Sequence, residues 1–444
     1  MSVSRFVRRS RRVPARTELV GVKAPRLFFE PLEDRLTPIS TPNPLFVADS
    51  LPATGAPNNQ SGAPLSIIVA DINGDGRLDF AGAAATNTLV PTSARIDVYL
   101  SDGPSGKGYD PIGINLGATN LFQAPFNIAA VDVTADGKAE IGSVSSATGN
   151  IRVDRLENTG VFQGLFTTQI DFEIANGMPD PAKPNKNLSG IVGADFNGDG
   201  KGDFLVTLTG STNAQEYFVL LNNGTGKSFT PIGTPLKTGL GVGDFQRPIA
   251  ADFDRDGKID VAMMRPSSNQ VTILFGSGDG SFSFARNLAV GSTPSALAAG
   301  DFDGNGKIDL AVGQKNGRIT LFLKDPTSTT FTTKQNAAIV GSPIVGMSAG
   351  DFDLDNIDDV AVVTSNGSFG NQNLDVYLGR TTAATLGLTL APGSSYGPLV
   401  GIGGSVATVD LDGNGNPDLV VGEGLSATQQ YTPYYNQSFV GGET

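Results

Sequence analysis

The chain has 444 residues, of which 39 % are hydrophobic and 17 % charged, so it is long enough to bury a large core. It contains neither Cys nor His, which excludes disulfides, thiolate zinc sites, imidazole metal ligands and the Ser/His/Asp triad. The formal net charge of −13 argues against a nucleic acid as partner.

The charge is distributed unevenly along the chain. Residues 1–43 hold nine basic and four acidic residues, which leaves 22 basic and 40 acidic residues in 44–444. We therefore predict two regions, a disordered basic tail over 1–43 and a folded acidic domain over 44–444. No run of apolar residues is long enough to cross a bilayer, so no membrane span is predicted.

A nine-residue pattern, D-x-[DN]-x-[DN]-G-x-x-D, recurs through the acidic region. Five copies match it fully, and they begin at Asp71, Asp195, Asp252, Asp301 and Asp410. Two copies depart from it: the Asp351 copy has Asn356 in place of Gly, and the Asp132 copy has Thr134 at position 3 and Glu140 at position 9. The mean period of about 56 residues indicates seven structural repeats.

Each copy lies between short apolar runs that are typical of strands. Residues 67–70 precede the first loop and 204–206 follow the third, for example. A third run, such as 271–275, ends in a Gly-rich turn that leads to an aromatic residue, here Phe282, which indicates a hairpin into a fourth strand. Four strands repeated seven times predict an all-β fold, a seven-bladed β-propeller of four-stranded blades.

The two ends of the folded region predict how the ring closes. After the last loop only two further strands fit, around 419–422 and 429–435, so the last blade lacks one strand. The segment 44–47 precedes the first loop, and we expect it to supply that strand.

In each loop, hard oxygen ligands at positions 1, 3, 5 and 9 converge on one point, and a positive φ is expected at position 6. This set of donor atoms suits calcium. Of the 40 acidic residues in 44–444, 23 lie at these positions, where they would repel one another without a cation. We predict five to seven Ca²⁺ sites. The ligands in the first four loops are Asp71, Asn73, Asp75, Asp79, Asp132, Thr134, Asp136, Glu140, Asp195, Asn197, Asp199, Asp203, Asp252, Asp254, Asp256 and Asp260. The ligands in the last three loops are Asp301, Asp303, Asn305, Asp309, Asp351, Asp353, Asp355, Asp359, Asp410, Asp412, Asn414 and Asp418.

Two other interpretations compete with calcium binding for these loops. An EF-hand needs an acid at position 12, and this position holds Gly, Ser, Met or Val in the seven copies, each in a predicted strand, so that interpretation fails. The second alternative is that Asp, Asn and Gly simply mark hairpin turns.

The sequences DFNGDGKGD, DFDRDGKID and DFDGNGKID, each followed by an apolar strand, resemble FG-GAP/VCBS repeats. These repeats are similar to the seven-bladed propeller of integrin α chains, and the resemblance extends over about 90 % of the chain. It implies calcium in the acidic loops. The tail segment 27–38, LFFEPLEDRLTP, resembles the LEDR signature of exported planctomycete-type proteins, so we expect an extracellular or cell-surface location.

The function that this resemblance implies is a non-enzymatic protein-binding or adhesion module with an unknown extracellular partner, monomeric and without a membrane span. The alternative is a glycan-binding propeller, for which the cluster Tyr431, Tyr434 and Tyr435 is the best contact surface, unless it closes the last blade. Tyr99, Tyr217 and Tyr377 are expected to pack in the core. A polysaccharide lyase or hydrolase is the least favoured alternative, because most acids are accounted for by the loops and no nucleophile motif is present.

Overall fold

The structure is a computed structural model, and it describes residues 46–48, 64–84, 95–101, 109–115, 127–144, 152–158, 166–173, 186–210, 216–224, 229–232, 245–328, 330–365, 372–380, 387–399, 404–422 and 431–437. The described residues form strands, turns and one short 3-10 turn at Pro266–Ser268. The predictions for the tail 1–43 lie outside the described residues. Among those described, no helix is long and apolar enough to cross a membrane.

The strands are numbered in chain order. Those before residue 200 are β1 (Phe46–Ala48), β2 (Pro64–Ala70), β3 (Asp79–Ala84), β4 (Arg95–Ser101), β5 (Tyr109–Asn115), β6 (Asn127–Val131), β7 (Glu140–Val144), β8 (Arg152–Asn158), β9 (Phe166–Glu173) and β10 (Lys186–Ala194). Those between residues 200 and 300 are β11 (Asp203–Gly210), β12 (Glu216–Asn222), β13 (Phe229–Pro231), β14 (Gln246–Ala251), β15 (Asp260–Arg265), β16 (Gln270–Gly276), β17 (Phe282–Ala289) and β18 (Pro294–Gly300). The rest are β19 (Asp309–Gln314), β20 (Arg318–Lys324), β21 (Phe331–Ile339), β22 (Ile344–Gly350), β23 (Asp359–Ser365), β24 (Gln372–Arg380), β25 (Gly387–Leu399), β26 (Val406–Val409), β27 (Asp418–Gly422) and β28 (Tyr431–Asn436).

These strands form seven antiparallel sheets of four strands each. Six sheets are simple meanders of consecutive strands, β2 to β5, β6 to β9, β10 to β13, β14 to β17, β18 to β21 and β22 to β25. The seventh has the order β1-β28-β27-β26, so the first strand of the chain completes the last sheet. The fold is thus an all-β propeller with four-stranded blades.

The first strands of the sheets surround a central channel. β2 packs on β6, β6 on β10, β10 on β14, β14 on β18, β18 on β22 and β22 on β26, and β26 packs on β2 again. Between each pair of consecutive sheets lies one apolar cluster. Because both faces of a sheet are covered, the second strands are rich in apolar residues, and every residue of β15, β19, β23 and β27 is buried.

The predicted closure by an N-terminal strand is confirmed. Val47 of β1 pairs with Tyr435 of β28, and Phe46 pairs with Asn436. Apolar packing between β2–β4 and the last sheet also closes the ring, since Phe80 and Tyr99 stack with centroids 4.5 Å apart and Tyr431 meets both rings edge-on.

The tyrosine predictions have mixed outcomes. Tyr99, Tyr217 and Tyr377 are buried, as expected of packing residues. The prediction that the Tyr431 cluster forms a contact surface is wrong, because Tyr431 is 1 % exposed and Tyr434 is 6 % exposed. These rings fill the two interfaces of the last sheet, so the alternative interpretation, in which the cluster closes that sheet, is correct.

Candidate metal centres in the repeated loops

Each nine-residue loop joins the first strand of a sheet to the second. The seven loops therefore lie at the same end of the sheets, and all 28 residues predicted as ligands are among those described. Position 12 of every copy lies in a strand, as the argument against an EF-hand requires.

The carboxylate at position 1 organises the loop backbone. In the first loop Asp71 Oδ1 accepts the N–H of Asp75 at 3.1 Å, and Asp71 Oδ2 accepts the N–H of Gly76 at 2.8 Å. The same two bonds, from positions 5 and 6 to position 1, recur in the other six loops. The imperfect Asp132 and Asp351 copies thus fold like the others.

Two backbone positions in each loop have positive φ. Position 6 does so as predicted, including Asn356 at 67°. Position 4 does so as well, and sequence reasoning missed it: the residues there include Ala135 at 59°, Arg255 at 60° and Leu354 at 62°. The available signal was Gly at position 4 in the other four copies.

The acid at position 9 is buried and joins the loop to the sheet. Asp260 Oδ2 accepts the N–H of Phe253 at 2.8 Å, and Asp260 Oδ1 accepts the N–H of Gly276, at the end of the third strand, at 2.8 Å. Five other loops repeat both bonds. In the remaining loop, Glu140 Oε2 accepts the N–H of Val133.

Burial raises the pKa of the six position-9 aspartates well above the ordinary aspartate value. Desolvation is the largest cause, and the backbone donors only partly offset it. The pKa is raised to about 7 for Asp79, Asp203, Asp260 and Asp418, to about 8 for Asp309, and well above the ordinary value for Asp359. Desolvation also raises the pKa of Asp351 to about 6.

Four loops bring three carboxylates close enough together to share one cation. In each, one oxygen from each of three residues lies within 4.8 Å of the others. The groups are Asp252, Asp254 and Asp260; Asp301, Asp303 and Asp309; Asp351, Asp353 and Asp355; and Asp410, Asp412 and Asp418. Oxygens that bind one Ca²⁺ at 2.3–2.6 Å can lie at most about 5 Å apart, so these groups fit such an ion.

The other three loops form no group of three converging acids among the described residues, and their position 3 is Asn73, Thr134 or Asn197 instead of Asp. Asp256 and Asp359 also lie outside the four groups of acids. In the Asp132 loop, Thr134 Oγ1 lies 3.4 Å from Glu140 Oε1, so a hydroxyl stands where other copies have a carboxylate or an amide. Lys258 Nζ lies 2.9 Å from Asp256 Oδ2, and this hydrogen bond lowers the pKa of Asp256.

Neighbouring loops are joined by backbone hydrogen bonds. The N–H at position 8 donates to the carbonyl at position 1 of the preceding loop, from Ala139 to Asp71 and from Gly202 to Asp132. The same bond runs from Asp358 to Asp301. A change in one loop can therefore reach the next loop directly.

Comparisons with known proteins agree with the repeat. A model of the FG-GAP-like repeat matches residues 195–263, 252–312 and 301–362, and a model of the FG-GAP repeat matches 402–436. Residues 195–362 and 402–436 therefore resemble FG-GAP repeats. These matches contain all four loops in which three carboxylates converge. No curated protein matches the chain significantly.

Solved structures with a similar fold are remote in sequence. The periplasmic gluconolactonase of Pseudomonas aeruginosa is 14 % identical, with a TM-score of 0.50 over 75 % of this chain and 86 % of that one. The WD40 repeats of RRP9 are 11 % identical, with a TM-score of 0.49 over 88 % of this chain and 100 % of that one. At these identities the likeness concerns the fold alone.

Proposed function

We propose that this chain is a seven-bladed FG-GAP propeller that binds Ca²⁺ in its repeated loops and serves outside the cell as a non-enzymatic protein-binding or adhesion module. The observation that carries the proposal is the convergence of three carboxylates in each of four loops, inside segments that match FG-GAP repeats. The FG-GAP propeller fold suggests protein binding, and FG-GAP repeats are typical of extracellular proteins.

The residues that would hold the ion are the converging acids of the Asp252, Asp301, Asp351 and Asp410 loops. Bound Ca²⁺ would supply positive charge that compensates their mutual repulsion and the cost of their burial. The chain's own contribution is rigidity, because the backbone N–H bonds to positions 1 and 9 fix the carboxylates before the ion arrives. The remaining three loops share this backbone, and we propose them as weaker sites.

The metal in this proposal is structural. If calcium is present at ten times the dissociation constant of a site, binding stabilises the fold by about 1.4 kcal/mol per site. Four such sites would contribute about 6 kcal/mol, which is comparable with the whole net stability of a typical domain.

The test is the unfolding midpoint of the full chain in millimolar Ca²⁺, in excess chelator, and in chelator followed by Mg²⁺. We expect a midpoint many degrees lower in chelator that Ca²⁺ restores and Mg²⁺ does not, since Mg²⁺ demands a tighter octahedral shell. An unfolding midpoint that is the same with and without chelator would show that the loops are turns held by their own hydrogen bonds.

The binding role is tested separately, with Ca²⁺ present throughout. Capture of a protein partner that neutral glycans do not displace would support the proposed role. Binding confined to a glycan array would favour the glycan alternative instead, although the burial of Tyr431 and Tyr434 removes its best sequence support.

A further inference from the structure

Arg247 lies at the end of the central channel opposite the aspartate loops. It is the second residue of β14, and the loop that begins at Asp252 follows the other end of the same strand. Asp252 lies five positions after Arg247 along the strand, which corresponds to about 16 Å. A site at Arg247 is therefore distinct from the candidate metal centres and does not rest on them.

The side chain of Arg247 reaches over a neighbouring strand. Its Nη1 donates to the carbonyl of Val345 at 2.8 Å, and Val345 belongs to β22, whereas β18 is the strand that lies between. Other polar side chains at this end bond to adjacent strands, as Asn127 does to Ser189 O and Ser295 does to Ile344 O. At this mouth of the channel, the side chain of Arg247 thus joins two blades that are separated by a third one.

Arg247 is exposed as a residue, although its guanidinium is closely surrounded by protein. Desolvation by the surrounding strands lowers the pKa of this side chain. No carboxylate among the described residues contributes to that pKa, and the one hydrogen bond described for the side chain is to a neutral carbonyl. A guanidinium has five N–H donors and stays charged at neutral pH, so this cation keeps donors for a ligand.

The backbone at Arg247 supports a role beyond packing. Its φ is 46°, a conformation that L residues other than Asn, Asp and Gly adopt at a cost. Gly190, on the neighbouring strand β10, leaves space here, since an added Cβ would lie 3.3 Å from the Arg247 nitrogen and 2.4 Å from Pro248 Cδ. The surrounding structure therefore holds the arginine in place against its local preference.

We propose that the mouth of the central channel at Arg247 is a binding site for a carboxylate monoanion. The guanidinium of Arg247 donates hydrogen bonds to the carboxylate oxygens. One cation that meets no carboxylate among the described residues matches one negative charge, and the planar guanidinium pairs with a carboxylate through two parallel hydrogen bonds. A phosphate dianion would bring a second charge that no other described cation meets here, into a protein whose net charge is already −13.

The experiment measures binding to the full chain by calorimetry at constant Ca²⁺ and low salt. The probe is D-glucuronate, a hydroxyl-bearing carboxylate, with D-glucose as the neutral control and inorganic phosphate as the dianion. We expect saturable binding of glucuronate, none of glucose, and weaker binding of phosphate. Arg247→Asn, which suits the positive φ and removes the cation, is expected to weaken glucuronate binding by about tenfold or more, and Arg247→Lys by less.

Arg255→Asn is the matched control. Arg255 is also an exposed arginine with positive φ that follows the same strand β14, but it lies at the opposite end of the sheet, so its removal changes the net charge equally. Binding of glucuronate should survive this change. Equal losses in both variants, no loss in Arg247→Asn, tighter binding of phosphate, or no saturable binding by the unaltered chain would each overturn the assignment. The unfolding midpoint of Arg247→Asn confirms that the variant is folded.

Discussion

Asp358 holds the preceding loop through two hydrogen bonds to Asp301. Its Oδ2 accepts the Asp301 N–H at 2.7 Å, and its own N–H donates to the Asp301 carbonyl at 2.9 Å. Position 8 is occupied by Leu, Ala, Gly, Ile or Pro in the other copies, so the side-chain bond belongs to this pair of loops. Gly300 makes the approach possible, since a Cβ there would lie 2.7 Å from Asp358 Oδ2.

The first prediction concerns this contact. Asp358→Ala leaves the Asp301 N–H without its acceptor in a partly buried place, which should destabilise the fold by about 1–3 kcal/mol. It should also weaken metal binding in the Asp301 loop, whose first ligand is no longer held. Asp358→Asn keeps an acceptor oxygen and should retain most of the stability. Unfolding in urea with and without Ca²⁺ measures both effects, and equal midpoints for the two variants would contradict the argument.

The second prediction concerns pH. The position-9 carboxyls of Asp79, Asp203, Asp260, Asp309 and Asp418 have pKa values of about 7 to 8 when folded and ordinary values when unfolded, so between about pH 4 and pH 7 the folded chain binds more protons. In chelator, these carboxyls make their full contribution to stability at pH values below the pKa that they have in the unfolded chain. That contribution is lost as the pH rises through the pKa that they have in the folded chain. Ca²⁺ binds the ionised form, so the stabilisation by Ca²⁺ should grow from pH 5.5 to pH 8.

The measurement is the difference between the unfolding midpoints in Ca²⁺ and in chelator at each pH. Taking this difference cancels the titration of groups that do not bind the ion. An increase in the midpoint that is the same at pH 5.5 and at pH 8 would show that the buried carboxyls do not take part in binding.

The third prediction concerns Lys258, which would compete with a bound cation for Asp256. Its Nζ lies 2.9 Å from Asp256 Oδ2 in a solvent-exposed pair. Lys258→Gln should raise the calcium affinity of the Asp252 loop by a few-fold at most, since exposed ion pairs are weak. Lys201→Gln removes the same charge at the equivalent position of the Asp195 loop, where the described contacts include no ion pair of Lys201. Competition with a chromophoric chelator compares the two, and an equal gain in both would point to net charge rather than to the ion pair.

The extent to which sequence predicted this structure differs between backbone and side chains. The strands, the loops and the closure by β1 follow from periodic apolar runs and from Gly at position 6, which are local signals. Part of the side-chain arrangement is also visible in the sequence, since position 3 is Asp in the four loops whose acids converge and Asn or Thr in the other three. The choice of the third acid is not visible there. The Asp252 and Asp351 loops both have Asp at positions 1, 3, 5 and 9, but the first groups Asp260 of position 9 and the second groups Asp355 of position 5.

The left-handed residues at position 4 show a second limit. Arg255 and Leu354 adopt positive φ because the hydrogen bonds of positions 1, 5 and 6 impose it, against their own preference. The tyrosine cluster shows a third limit, since the same group of tyrosines in a sequence is compatible with a binding surface and with a core. Only the pairing of β28 with β27 and β1 establishes that Tyr431 points inward.

The last prediction concerns the interface at which the ring closes. Gly82 of β3 faces the ring of Tyr431, and a Cβ at Gly82 would lie 2.0 Å from the phenolic oxygen and 2.2 Å from Cζ. Gly82→Ala must therefore push Tyr431 out of its contacts with Phe80 and Tyr99, at a cost of about 1–3 kcal/mol. Tyr431→Leu removes the clashing atoms, so the added methyl group should cost much less in the Tyr431→Leu background than in the unaltered chain. A double-mutant cycle of unfolding free energies tests this coupling. Additive effects of the two changes would mean that the strand β28 moves as a whole and that Gly82 does not determine the position of Tyr431.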